Sequence, residues 1–192
     1  MKYPDYGLLP ELDTSQWFNT SESLTLDALK GKVVVIYAFQ MLCPGCVSHG
    51  LPLMRKLDAF YQNTEVQVIG LHTVFEHHSA MEPVSLQAFL HEYRIRFPVA
   101  VDRPGGSGPV PTTMAAYGLQ GTPSYLVLDR QGHLRLKHFG ALDELQLGDL
   151  IAGLLAEPVA CEQSATDTDK SAASADDAKG EPPVCDEYGC RI

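Results

Sequence analysis

The chain has 192 residues, 45% of them hydrophobic, and a formal net charge of -10. That is apolar material for one full core plus an appendage rather than for two domains, and the negative balance argues against nucleic acid and anionic membrane as partners. The N-terminal MKYPDYGLLPELDTSQWF has Pro and acids where a secretory signal carries an apolar core, and no run approaches the roughly 18 apolar residues of a membrane span, so the expected location is the cytoplasm.

In chain order, KVVVIYAF (32–39) is a continuous β-branched run of the kind a strand buried on both faces needs. It runs into FQMLCPGCVSHGLP, where Cys43 and Cys46 stand three apart. VSHGLPLMRKLDAFY (47–61) follows with Leu51, Met54, Leu57 and Phe60 at helical spacing, and EVQVIGLHTV (65–74) reads as a second buried strand. PVSLQAFLHEYRI (83–95) predicts a helix with Leu86, Phe89, Leu90 and Tyr93 on one face, ahead of a short strand FPVAV. The Pro/Gly-rich DRPGGSGPVPTT, which begins at Asp102, reads as a surface loop. SYLVLD and HLRLKHFG, joined at RQG, predict a hairpin, and LDELQLGDLIAGLLA (142–156) closes the unit as an amphipathic helix.

Composition changes at Glu157. From there to Ile192, nine Asp and Glu face three Lys and Arg, and the Ala/Ser/Asp tract has no apolar periodicity, so residues 157–192 are expected to be a disordered acidic tail behind a domain of residues 1–156. The tail ends in VCDEYGCRI, with Cys185 and Cys190.

The chemistry of the Cys-x-x-Cys pair follows from its position. A cysteine where a strand becomes a helix lies beside unpaired backbone N–H groups and the positive end of the helix dipole, and both favour thiolate. Cys43 is so placed. Cys46, one turn inside the helix, suits the resolving role, and Pro44 fits a first helical turn that has no use for its missing N–H. A structural zinc site would need a second ligand pair at matching spacing; Cys185 and Cys190, four residues apart on the tail, are poor candidates. Neither a metal nor a cofactor is expected.

The strand leading into Cys43-Pro44-Gly45-Cys46, the inserted strand-helix-strand of 65–101, YGLQGTPSYLVLD with Thr122-Pro123 ahead of a strand, and the later FGAL together resemble a thioredoxin-fold protein of the TlpA/ResA and redoxin (AhpC/TSA) type over residues 20–156. The resemblance implies an α/β thioredoxin fold: a central mixed sheet flanked by helices, with a strand-helix insertion. It implies a thiol-disulfide oxidoreductase acting on protein or small-thiol disulfides, and a cis Thr122-Pro123 bond against the dithiol. Three departures stand out. Tyr37 takes the strand position of a buried carboxylate that helps deprotonate the second cysteine. Leu42 replaces a frequent Trp, making the docking surface more aliphatic, and the helix proline, Pro52, falls one residue further from Cys46 than the family pattern places it.

Two other classes remain open. A thiol peroxidase of the Pro-x-x-x-Thr-x-x-Cys kind would need a hydroxyl where Gln40 stands and a proline where Ile36 stands. A metal-handling protein would use the tail cysteines with His72, His77 and His78, among which Glu76 lies; His72, at the strand end, is the best of these for touching substrate, and His49 sits on the active-site helix. The tail cysteines are either a solvated end or a second dithiol exchanging with the first. A flexible linker over residues 157–184 reaches about 30 Å and would present them at millimolar effective concentration.

Overall fold

The computed structural model describes residues 3–106 and 108–158, and the backbone at 185–186 and 189–190. The chain divides into two compact units, Met1–Ala160 and Cys161–Ile192.

The first unit is built on a mixed six-stranded sheet of order β1-β4-β3-β2-β5-β6. Its strands are β1 Thr14–Phe18, β2 Val33–Phe39, β3 Val66–His72, β4 Val99–Asp102, β5 Ser124–Leu128 and β6 Leu134–Phe139. β2, β3 and β4 run parallel, while β1, β5 and β6 are antiparallel to their neighbours. Every residue of β2 is buried, as its unbroken apolar run requires of a strand covered on both faces. Val33, Val35, Tyr37 and Phe39 pack with residues of three helices, α1 (Leu51–Phe60), α2 (Pro83–Glu92) and α4 (Glu144–Ala156). Val34, Ile36 and Ala38 face the other way, onto Leu26, Leu29, Met114 and Tyr117.

Register brings the chemistry to one edge. Phe39 at the end of β2 lies opposite His72 at the end of β3, and Ala38 lies opposite Ser124 at the start of β5. The Cys43 loop, the loop after His72 and the Thr122-Pro123 loop therefore emerge side by side.

Two elements depart from the sequence reading. β1 has no clean alternation of exposed and buried residues, yet it pairs antiparallel with β4 at the sheet edge. The stretch expected to be only a surface loop ends in a short helix, α3 (Thr112–Ala116), and its first residue, Asp102, is buried. Asp102 accepts the Thr113 and Met114 N–H groups at 2.9 and 3.0 Å and the Thr73 hydroxyl at 2.9 Å, so it caps α3 rather than merely starting a loop. Phe60, expected on the buried face of α1, is 79% exposed; Leu51, Leu53, Met54 and Leu57 carry that face.

In the second unit, β7 (Cys185–Asp186) and β8 (Gly189–Cys190) pair antiparallel with Cys185 opposite Cys190. The tract expected to be disordered falls, from residue 159 to 184, outside the described residues, as does Cys161. Among the described residues no helix is long and apolar enough to cross a membrane.

Candidate active site

After Phe39 the chain turns through Gln40–Leu42, with the Cys43 N–H bonded to the Gln40 carbonyl at 3.3 Å, and enters a helix at Pro44. The Val47 N–H closes the first helical bond onto the Cys43 carbonyl at 3.1 Å. The Cys46 N–H points at the Cys43 Sγ at 3.3 Å. Cys43 thus sits as the N-cap of the helix, its sulfur taking the place of the usual Ser or Asp oxygen, with Pro44 in the first helical position. On its other side the Cys43 thiol meets the Thr122 carbonyl at 3.5 Å. The Thr122-Pro123 bond is cis, and the Pro123 ring lies 3.5 Å from where a Cβ on Gly45 would stand.

Both cysteines are free; Cys43 is half-buried and Cys46 wholly buried. Burial, and secondarily the hydrogen bond with Cys43, pushes the Cys46 thiol up to about 12, against smaller opposing contributions from the Gln40 backbone and the Thr122 side chain. Of the two cysteines, only Cys43 has surface open to solvent.

The helix does not open as a regular α-helix. Cys46–Gly50 forms a π-turn, in which the Cys46 carbonyl bonds to the Leu51 N–H. This absorbs the extra residue before Pro52. The same carbonyl accepts the Tyr37 hydroxyl at 3.0 Å.

Gln40, considered in the sequence only as the place of an absent hydroxyl, is buried and ties three segments together. Its amide nitrogen lies 3.5 Å from both the Thr122 hydroxyl and the Glu76 carboxylate, and its oxygen accepts the Phe75 N–H at 3.4 Å. The available signal was an amide at the end of an apolar strand, just before the cysteines. His72 is brought to this edge but not to solvent: it is 1% exposed, its ring is 5.3 Å from that of Phe39, and neither nitrogen has a hydrogen-bond partner. Burial lowers its pKa to about 4. His49, His77 and His78 are exposed, His49 bonding to the Ser48 hydroxyl at 2.7 Å. Among the described residues no three His, Cys, Asp or Glu side chains are grouped to hold a metal ion. Leu42 beside Cys43 is 56% exposed, and Phe139, 54% exposed, lies against Gly121 of the cis-proline loop, giving the site an apolar rim.

The Redoxin family profile matches residues 9–150. Among solved structures, a thioredoxin-like superfamily protein is 60% identical over 79% of this chain and 98% of its own, with a TM-score of 0.77. A thiol-disulfide isomerase from Corynebacterium glutamicum is 48% identical over 80% of this chain and 99% of its own, with a TM-score of 0.76. A thioredoxin-like protein solved in its oxidized form, 24% identical over 78% of this chain and 95% of its own, shares the fold with a TM-score of 0.64. No curated protein matches the chain.

Proposed function

The chain belongs to the Redoxin family, and from that premise we propose that it is a thiol-disulfide oxidoreductase in which Cys43 attacks and Cys46 resolves. The observation that carries this reading is the placement of the two sulfurs: Cys43 reachable at the helix start and held by the Cys46 N–H, Cys46 buried one turn behind. In the forward direction the Cys43 thiolate attacks one sulfur of a substrate disulfide, that S–S bond breaks, and the leaving thiolate takes up a proton. Cys46 then loses its proton to solvent and attacks the Cys43 sulfur, expelling the second substrate thiolate. Two electrons pass from the dithiol to the substrate, and Cys43–Cys46 is left as a disulfide.

The substrate class is a protein or small-thiol disulfide, with Leu42 and Phe139 favouring apolar groups beside the reacting bond. The Thr122 carbonyl, at the Cys43 thiol, is the backbone group an extended peptide would pair with. The cytoplasm, where thiols are kept reduced, is the compartment this reading assigns. The tail cysteines enter it only as accessory thiols. A peroxidase would need a hydroxyl where the Gln40 amide is engaged with Thr122 and Glu76.

Brief alkylation followed by peptide mapping tests the assignment. Cys43 is expected to label first, Cys43→Ser to abolish disulfide turnover, and Cys46→Ser to accumulate a mixed disulfide with substrate. Turnover surviving in Cys43→Ser, or Cys46 labelling first, overturns it.

A further inference from the structure

Three features of this chain that look unrelated in the sequence meet at one point in the fold. Tyr37 replaces a carboxylate, the helix has one residue more between Cys46 and its proline, and position 50 is glycine. The extra residue is taken up by the π-turn Cys46–Gly50. The Tyr37 ring, fully buried, stacks on Phe39 at 5.4 Å and tilts against Tyr125 at 5.3 Å, leaving its hydroxyl aimed into that turn. A Cβ on Gly50 would stand 2.3 Å from the Tyr37 oxygen and 2.6 Å from its Cζ, so the phenol occupies the room that only glycine leaves. A buried hydroxyl needs a partner, and the Cys46 carbonyl supplies it while also accepting the Leu51 N–H.

We propose that Tyr37, seated on Gly50, is the positioning residue for the resolving cysteine. Cys46 is gripped at both ends of its backbone: its N–H is on the Cys43 sulfur at 3.3 Å and its carbonyl is on the Tyr37 hydroxyl at 3.0 Å. This grip fixes the depth and direction from which the Cys46 thiol approaches a mixed disulfide on Cys43. Burial raises the Tyr37 pKa above its ordinary value, so the phenol stays protonated and acts by holding the turn, not by taking the Cys46 proton. Where the family pattern puts a proton acceptor, this chain has a clamp.

The inference rests on the dithiol reading, and one experiment separates the two. Fully reduced full-length protein carrying Cys161→Ser, Cys185→Ser and Cys190→Ser, so that Cys43 and Cys46 are its only thiols, is mixed with one equivalent of dithiobis(nitrobenzoate), which releases one coloured thiolate when Cys43 attacks and a second when Cys46 resolves. This parent is expected to show both phases; a single phase in it overturns the dithiol reading itself, and the variants below are made on it. Tyr37→Phe is expected to keep the first phase and slow the second by about tenfold, the effect of losing one buried hydrogen bond. Its ring-closure equilibrium against glutathione should shift by a similar factor. Gly50→Ala pushes the phenol off the carbonyl and should slow the same phase, and the double variant should be no slower than the slower single one. Gly50→Ala also keeps the test alive should Tyr37→Phe fold poorly. Two unchanged phases, or two phases slowed equally alongside lost thermal stability, overturn the positioning role.

Discussion

His72 was the histidine that the sequence offered for chemistry, because it ends a core strand at the reactive edge. A strand-end position does not reveal whether neighbouring strands and helices cover it, and here they do. The result is a pH effect on stability. The folded pKa of about 4 lies below the unfolded value of about 6.5, so the unfolded state binds the proton more readily. The stabilising contribution of neutral His72 is complete above pH 6.5 and is lost as pH falls toward 4, by roughly 3 kcal/mol at pH 4. Urea unfolding of His72→Leu at several pH values should show a shallower acid loss than wild type; parallel curves would refute the buried neutral state. Cys46 yields a second prediction. With its thiol near 12, the reactive anion is scarce at neutral pH, and its fraction rises with pH. The resolving phase should therefore accelerate about tenfold per unit between about pH 7 and pH 9. A flat profile would mean that resolution is limited by something other than ionisation of Cys46. That Cys43, Cys46 and Pro123 stand together could be read from motif and order; the contacts of Tyr37 and Gln40 could not, because they depend on which backbone groups the fold turns toward them.

At the scale of elements, what was legible was whatever repeats. The buried strands and the longer helices carry their own period, and they came through with ends shifted by a few residues. β1 and α3 did not, for different reasons. β1 is an edge strand with mixed exposure, so neither alternation nor an apolar run marks it. α3 has five residues, too few for a period, and its cap comes from Asp102, ten residues before the helix begins. That tertiary cap predicts that Asp102→Ala, which leaves the Thr113 and Met114 N–H groups unpaired beneath the surface, lowers unfolding free energy by roughly 2 to 3 kcal/mol. Denaturant titration checks it, and a loss below about 0.5 kcal/mol, typical of an exposed site, would contradict the cap. The π-turn belongs here too: the displaced proline signalled an irregular helix, but only the structure shows the irregularity as one wide turn at Cys46.

For the molecule as a whole, the end of the catalytic unit is set by a buried charge. The Arg135 side chain is fully buried and pairs with Asp129 at 2.9 Å and with Glu157 at 2.6 and 3.0 Å, while the Tyr3 and Pro4 carbonyls accept its remaining hydrogens at 3.2 and 2.9 Å. Composition places the tail boundary before Glu157, because that residue opens the acidic tract; the structure puts its carboxylate on Arg135. Truncation after Ala156 should therefore cost roughly 2 kcal/mol of stability, the worth of a charged hydrogen-bonded pair, whereas truncation after Ala160 should cost almost nothing. Thermal melts of the two truncations decide this. A fall in turnover on cutting after Ala160, with the melt unchanged, would be the mark of exchange between the Cys185/Cys190 pair and Cys43. The Arg135 cluster also means that the first and last described stretches of the catalytic unit converge on a single guanidinium. Such a unit is suited to circular permutation: Pro158 could be joined to Tyr3 through a short Gly/Ser segment and the chain reopened at the exposed Gly106. The dithiol could then be carried between two new termini, with the former ends joined in one surface loop beside the Arg135 cluster.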